Sequence, residues 1–214
     1  MPNRLGRERL LFERRIGQAE QLVTRCAQAR HSAQNRLALT RAELEIVHEI
    51  ALLKAIVASE QFLERTLGLY VLGTRSPSGY RARRLHQMRG SLTQVLTIFR
   101  GDKTFVGWNS PTVVIARASR WLRNGEPFQS HLAAASQFLT YMRKMRNAVA
   151  HDSDNAQEEY EDATRRLYGA LPIVVSPGYQ LMNSAPPALP AAGPGSLFTT
   201  AMAIYRGIAS RIAP

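Results

Sequence analysis

The sequence predicts an all-α protein. Apolar residues recur at steps near 3.6 over most of the chain, which is the period of an α-helix. Residues that start and stop helices bracket these stretches. The one β-branched run, LPIVV from Leu171 to Val175, is too short and isolated to indicate a sheet. We therefore expect a helical bundle without a sheet.

Composition and charge narrow the class of partner. The chain has 214 residues, 45% of them hydrophobic, and a net charge of +12. This length suffices for one domain with a proper core, and so basic a balance favours a polyanionic partner, either nucleic acid or an acidic protein. A soluble protein with an arginine-rich surface is the alternative. The only lysines are Lys54, Lys103 and Lys144, and arginine pairs with phosphate through two parallel hydrogen bonds.

The expected compartment is the cytoplasm. Cys26 is the only cysteine, so no disulfide can form within the chain. The start, MPNRLGRERL, lacks the apolar run of a signal peptide. No window reaches the ~18 consecutive apolar residues of a membrane span.

The N-terminal part reads as two long helices. An arginine-rich helix is predicted from residue 7 to about 38, within an N-terminal segment of residues 1–41, and its arginines form either a solvated face or an RNA-binding face. Thr40 and Glu43 have the spacing of a capping box, which predicts a second helix to about Leu72 with Gly73 as its stop. Its apolar stripe comprises Ile46, Ile50, Leu53, Ile56, Val57, Leu63 and Leu67.

Two carboxylates share a face with part of that stripe. Glu49 and Glu60 fall at helical steps from Leu53 and Ile56. A carboxylate there is either partly buried beside an arginine or at the edge of the stripe in water. His48, one residue away, is interpreted as structural.

A third helix is predicted from Arg81 to Phe99 after the turn-forming segment TRSPSGY. Arg81, Arg83 and Arg84 crowd its start, where cations are unfavourable. These arginines are therefore candidates for RNA contacts, with a solvated charge run as the alternative.

The central helix is predicted from about Ser130, after a fourth helix that begins at Ser110-Pro111 and closes at Gly125. Ser153 or Asp154 can cap a following helix, Asn155 to about Tyr168, that Gly169 stops. A proline-rich connector and a last helix, Leu197 to Ile212, complete the chain. We divide it into residues 1–41, a core of 42–182, and 183–214 packing on the core as one structural domain.

The segment YMRKMRNAVAHDSD at the end of the central helix carries the residues suited to phosphate chemistry. His151 could transfer a proton at physiological pH, and Arg146 could stabilise charge on a phosphoryl group. Asn147 lies one turn before His151, but Arg146 lies about 140° from it on an ideal helix. The two converge if the helix ends at His151 and the arginine reaches round, or if two copies pack about a twofold axis. Alternatively, both residues only interact with the helix dipole.

The segment MRKMRNAVAHDS resembles the R-x4–6-H signature of the HEPN superfamily of α-helical ribonucleases. The blocks HEIALLKAIVASEQFLE, GEPF and LYGALPIVVSPGYQL are similar to its RiboL-PSP-HEPN branch. The resemblance implies a homodimer formed through the motif helices and metal-independent cleavage of RNA by its own 2′-hydroxyl, often in toxin–antitoxin or anti-phage systems. It also implies that Arg146 and His151 are catalytic and Asn147 supports them.

Further residues are candidates for the site. Glu49 or Glu60 could match an acidic position on the preceding long helix of the family, and Ser153, just past His151, is a candidate supporting residue. Arg143 and Lys144, beside the motif, join the earlier arginines as candidates for RNA contacts. Neither a cofactor nor a metal site is expected, since zinc-ligand, P-loop and dinucleotide motifs are missing.

The chain departs from the family at one position. Some HEPN toxins carry a tyrosine two residues past the histidine that a nucleotidyltransferase modifies, whereas this chain has Ser153. An antitoxin of that kind would be a separate protein. The rival hypotheses are a non-catalytic helical module that dimerises or binds RNA or a nucleotide, and an adaptor for an acidic protein. His31, His86 and His131 are interpreted as ordinary surface or packing residues.

Overall fold

Helices account for nearly all regular structure in the part of the chain that a computed structural model describes, namely residues 3–31, 39–101, 107–151, 153–186 and 195–214. The all-α prediction is confirmed. Two isolated β-bridges, Arg84 with Leu122 and Ser184 with Ser196, occur there without any longer strand. The helices are α1 (Arg4–His31), α2 (Arg41–Val71), α3 (Leu92–Arg100), α4 (Pro111–Trp121), α5 (Phe128–Ala134), α6 (Ser136–Ala150), α7 (Asp154–Tyr168), α8 (Pro177–Met182) and α9 (Leu197–Ile212).

The chain divides into two compact units. The first comprises Met1–Arg14, Val57–Leu139 and Tyr205–Pro214, and the second comprises Arg15–Ile56 and Thr140–Ile204. These boundaries fall inside helices. Each unit therefore draws on segments that are distant in sequence.

In the first unit, polar contacts join segments from both ends of the chain. Arg65 donates two hydrogen bonds to the Glu8 carboxylate, at 2.7 and 2.8 Å. The Tyr70 hydroxyl donates to the Ile212 carbonyl at 2.6 Å. Burial raises the pKa of Tyr70, which keeps this phenol a proton donor.

The second unit packs two aromatic pairs. The buried His48 ring meets Phe198 edge to face, with centroids 5.6 Å apart, and its Nδ1 lies 2.7 Å from the Leu44 carbonyl. Tyr141 and Tyr160 stack with centroids 6.0 Å apart. The structural interpretation of His48 fits this buried position.

Helix α2 begins and ends as its sequence predicts. The Thr40 amide donates to Glu43 Oε2 at 2.7 Å, and the Glu43 amide donates to Thr40 Oγ1 at 3.2 Å, which completes the capping box. Gly73 follows the helix with φ +84°, a backbone conformation that favours glycine.

Only some residues of the predicted apolar stripe of α2 are buried. Ile56, Leu63 and Leu67 are buried, but Ile46 and Ile50 are 53% and 42% exposed, and Val57 is exposed as well. The buried face also includes Leu44, Ala51, Leu52, Ala55, Ala58 and Phe62. Two apolar faces with the same period coexist on this helix, and periodicity alone does not say which one packs.

The predicted third helix from Arg81 is wrong over its first half. Residues 81–90 are irregular, and α3 begins only at Leu92, where Ser91 and Gln94 form a capping box. Arg84 instead pairs with Leu122 in a β-bridge. Gly90, with φ +132°, also prevents a continuous helix there.

The predicted central helix from Ser130 is two helices. Helix α5 starts earlier, at Phe128, and ends at Ala134, and α6 restarts at Ser136. The short helix α8 was not predicted. Helices α4, α7 and α9 begin within a residue of their predicted starts, while residues 32–38 of the first predicted helix and residues 187–194 of the connector lie outside the described part. Among the helices that are described, none is both long and apolar enough to span a membrane.

Gly178 lies against the backbone of α2, which generates a prediction. A Cβ at this position would lie 2.6 Å from Glu45 Cβ and 2.7 Å from its carbonyl oxygen. Gly178→Ala should therefore lower the free energy of unfolding by about 1–3 kcal/mol through overpacking. Urea denaturation measures the change.

Gly17 in α1 is the matched control for this substitution. Nothing lies within 4 Å of its Cβ position, so Gly17→Ala should raise the free energy of unfolding by about 0.5–1 kcal/mol through helix propensity. Equal effects at the two glycines would contradict the close contact of Gly178.

Burial of His48 predicts a dependence of stability on acid. Burial lowers the pKa of His48 below its ordinary value of 6.5, partly opposed by the Leu44 carbonyl. The unfolded chain then binds the proton more readily, so this contribution to stability is complete above pH 6.5 and falls away below it. Denaturation at neutral and mildly acidic pH should show the loss in the wild type and a smaller loss in His48→Gln. The same loss in both proteins would contradict it.

Candidate active site

The end of α6 brings Arg146, Asn147 and His151 together within one chain. The His151 amide still donates to the Asn147 carbonyl at 2.9 Å, so the helix ends at this histidine. The Arg146 side chain reaches round it: Nη1 lies 3.4 Å from His151 Nε2 and 3.4 Å from Asn147 Oδ1. This is the first of the two arrangements expected from the sequence, and it requires no second copy.

The orientation of α6 follows from which residues it buries. Tyr141, Met142 and Met145 are at most 2% exposed. With about 100° per residue, Arg143 and Asn147 fall on the opposite side of the helix. The packing that buries one face therefore directs the polar and cationic residues outward.

The outward face of α6 is cationic. Arg143, Lys144 and Arg146 are half-buried and His151 is exposed. Within the described part of the chain, the ion pairs involve other arginines: Arg41, Arg65, Arg100, Arg165 and Arg206. A group of cations without a carboxylate partner is suited to bind an anion.

The contact between Arg146 and His151 constrains the imidazole. A guanidinium only donates hydrogen bonds, so in a neutral imidazole Nε2 accepts in this contact and the ring proton lies on Nδ1. The Nε2 lone pair therefore faces Arg146, and it can take a proton once the guanidinium turns to an anion. The cluster therefore combines a proton acceptor with a fixed positive charge.

Ser153, a predicted supporting residue, caps the next helix. Its hydroxyl accepts from the Ala156 amide at 3.4 Å at the start of α7. Gly169 ends that helix in the left-handed conformation, as predicted. The contact gives Ser153 a structural role two residues beyond His151.

Glu49, the first predicted acidic residue, holds α8. Its Oε1 accepts from the Gly178 amide at 2.9 Å, while Glu45 accepts from the Ser176 hydroxyl at 2.9 Å. Burial is the main cause that raises the pKa of Glu49. Of the two interpretations open from the sequence, this residue follows the partly buried one, with a backbone amide in place of an arginine.

Glu60, the second predicted acidic residue, belongs to the other unit. It is half-buried, and its charge contributes, after burial, to a raised pKa of Tyr205. Glu49 and Glu60 therefore lie in different environments along α2.

The predicted RNA-contact arginines Arg81, Arg83 and Arg84 also lie in the first unit. Arg81 and Arg83 are exposed. The Arg84 guanidinium donates to the Val71 carbonyl at 3.4 Å, where a cation stabilises the C-terminal end of α2. Arg84 thus has a structural contact that its neighbours lack.

The described residues offer no evident set of metal ligands. Among them, no three His, Cys, Asp or Glu side chains cluster closely enough to hold a metal ion. His86 and His131 are accounted for individually: His86 meets Trp121 edge to face, and burial lowers the pKa of the half-buried His131.

Comparisons with protein-family models, with curated proteins and with solved structures found no match to this chain. The class established by fold and site is an all-α protein with an Arg–Asn–His cluster on a cationic helix face. The particular family is a matter of proposal.

Proposed function

We propose that this chain is a HEPN-type, metal-independent endoribonuclease. The observation that carries the proposal is the 3.4 Å approach of Arg146 Nη1 to His151 Nε2 beside Asn147. The resemblance of MRKMRNAVAHDS to the HEPN signature assigns these same residues to catalysis. Phosphate chemistry needs a proton acceptor and a fixed cation at one place.

The reaction follows from these groups. His151 Nε2 accepts the proton of the 2′-hydroxyl, and the 2′-oxygen attacks phosphorus as the bond to the 5′-oxygen breaks. A second proton donor, His151 of a second copy or water, protonates the departing 5′-oxygen. Arg146 stabilises charge on the equatorial oxygens, and Asn147 orients the imidazole or the phosphate. The products are a 2′,3′-cyclic phosphate and a 5′-hydroxyl.

We extend the proposal to a homodimer through the outer face of α2, in place of the motif helices that the family resemblance implies. Ile46, Ile50 and Leu53 follow the four-and-three spacing of a coiled-coil seam, and the first two are exposed. Glu49 and Lys54 lie on opposite flanks of this seam. In a parallel pair, Glu49 of one copy faces Lys54 of the other, five residues further on. This charge complementarity favours a second copy of the chain as the occupant.

The cellular role we propose is that of a cytoplasmic toxin or anti-phage effector, restrained by a separate antitoxin or by a defence-complex partner. This part rests on the family resemblance, and the net charge of +12 suits an RNA substrate. The alternative is a non-catalytic module that dimerises and binds RNA or a nucleotide, and it predicts binding without cleavage.

Cleavage of RNA tests the catalytic assignment. Arg146→Ala and His151→Ala should each lower the rate by about 10²–10⁴-fold, the usual contribution of one acid–base or electrostatic group. The assay incubates purified protein with a defined RNA in EDTA and identifies the cyclic phosphate by mass spectrometry. Arg166→Ala is the matched control, because Arg166 is exposed on α7, and it should cleave at the wild-type rate.

Full activity of either cluster variant, or a requirement for added divalent metal, would refute the mechanism. Binding of RNA with no cleavage by the wild type would favour the non-catalytic alternative. In cells, wild-type expression should arrest growth, and His151→Ala should relieve the arrest.

Light scattering tests the dimer. Ile50→Glu should convert the dimer to a monomer, because it places a charge in the seam on both copies. Ile98→Glu is the control, since Ile98 is similarly exposed at 51% on α3, and this variant should stay dimeric. A monomeric wild type, or a dimer that survives Ile50→Glu, would argue against the α2 interface.

A further inference from the structure

A short antiparallel pairing brings two basic segments together in the first unit. The Leu85 amide donates to the Trp121 carbonyl at 2.8 Å, and the Arg123 amide donates to the Arg83 carbonyl at 2.7 Å. Arg84 and Leu122 form the bridge between these two bonds. Residues 83–85 thus lie beside residues 121–123, where Leu122 is extended between the end of α4 and a 3₁₀ turn at Arg123–Gly125.

Exposure separates the inward from the outward side chains around this bridge. Leu122 is fully buried and Arg84 reaches the Val71 carbonyl, so these two point inward. Arg83 and Arg123 are exposed, Leu85 is 50% exposed and Trp121 is half-buried, so these four side chains lie on the outer side of the bridge.

Arg83 and Arg123 lie side by side without a carboxylate between them. Like charges on neighbouring strands destabilise the pair. Four carboxylates that the structure describes in this unit are engaged elsewhere: Glu8 pairs with Arg65, Glu13 with Arg206 and Glu64 with Arg100, and Glu126 accepts from the Ser130 hydroxyl. In the described residues, no ion pair reaches Arg83, Arg123 or the nearby exposed Arg81 and Arg120.

Apolar and aromatic side chains adjoin these arginines at the surface. Trp121 packs on Phe99, with ring centroids 6.0 Å apart, and meets the exposed His86 edge to face at 6.2 Å. Leu85 is 50% exposed. Rings beside unpaired guanidinium groups match the two needs of a single nucleic-acid strand, which are stacking for its bases and cations for its phosphates.

We propose that this surface, the Arg83–Trp121–Arg123 platform, binds single-stranded RNA. Phosphates pair with Arg83 and Arg123, and an unpaired base stacks on the Trp121–His86 rings. Bases in a duplex are already stacked and cannot reach the rings, so the platform selects single strands. The platform proposal rests on the proposed ribonuclease function only for its choice of RNA over DNA.

Fluorescence anisotropy with full-length His151→Ala protein tests the platform. The probe is a labelled, unstructured RNA of about 12 nucleotides, a length within the range of single-strand sites. Arg83→Ser combined with Arg123→Ser should weaken binding about tenfold or more. The slope of log affinity against log salt should fall by about 1.4, which is two lost phosphate contacts at about 0.7 each.

The aromatic contribution is tested separately in the same background. Trp121→Ala and His86→Ala should each weaken binding by about fivefold or more, whereas Trp121→Phe should keep most of it. His86→Ala keeps the test valid if Trp121→Ala fails to fold, because the His86 ring is exposed. RNA should also quench tryptophan fluorescence in the parent protein, since Trp108 is buried and Trp121 is only half-buried.

A control with the same change in charge is Arg166→Ser with Arg211→Ser, since both residues are exposed, on α7 and α9. Affinity should stay near that of the parent. Equal losses in the control and platform variants, unchanged binding in the platform variants, or tighter binding of single-stranded DNA or duplex RNA would overturn the proposal.

The outcome is distinguishable from failure of the ribonuclease proposal. The binding assay contains no catalytic step, so wild-type protein that never cleaves RNA refutes only the catalytic assignment. Cleavage by the wild type together with unaltered binding by the platform variants refutes only the platform.

Discussion

The stack of Tyr141 on Tyr160 fixes the orientation of α6, and the chemistry proposed for its end depends on that orientation. Both rings are at most 2% exposed, and burial is the main cause that raises the pKa of each phenol, so both stay neutral. Aromatic pairs contribute about 0.5–1.5 kcal/mol beyond the area that they bury. With Tyr141 held inward, the opposite side of the helix carries Arg143 and Asn147 outward. The helix then ends at His151, because Ser153 starts α7 immediately afterwards.

Several carboxylates of the described residues hold distant segments of the chain together. Glu45 and Glu49 accept hydrogen bonds from the start of α8, and Glu8 pairs with Arg65. Since Lys and Arg number 28 and Asp and Glu number 16, internal pairing leaves many guanidinium groups without a partner. Some of the positive charge therefore lies on described side chains that no ion pair reaches. The outward face of α6 and the patch around Arg83 carry such side chains.

Local signals in the sequence predicted the ends of helices better than they predicted how the helices pack. The capping box at Thr40 and Glu43 and the left-handed Gly169 involve neighbouring residues, so α2 and α7 were largely predictable. The Arg84–Leu122 bridge joins segments far apart in the chain, and no local pattern indicates it. The break at Ala135 lies in a run without glycine or proline. At the site, the spacing of Arg146 and His151 indicated the pair, but only the helix end and the arginine conformation show that they meet within one chain.

Arg146 Nη1 lies 3.4 Å from His151 Nε2. In the proposed ribonuclease, a phosphate would replace this hydrogen-bonding partner, so little net attraction is gained at the proposed cleavage point. Binding of the strand would then depend on cations elsewhere on the surface. If binding and catalysis occur at separate places, long RNA chains are favoured over short fragments, because short fragments have too few phosphates to bind tightly.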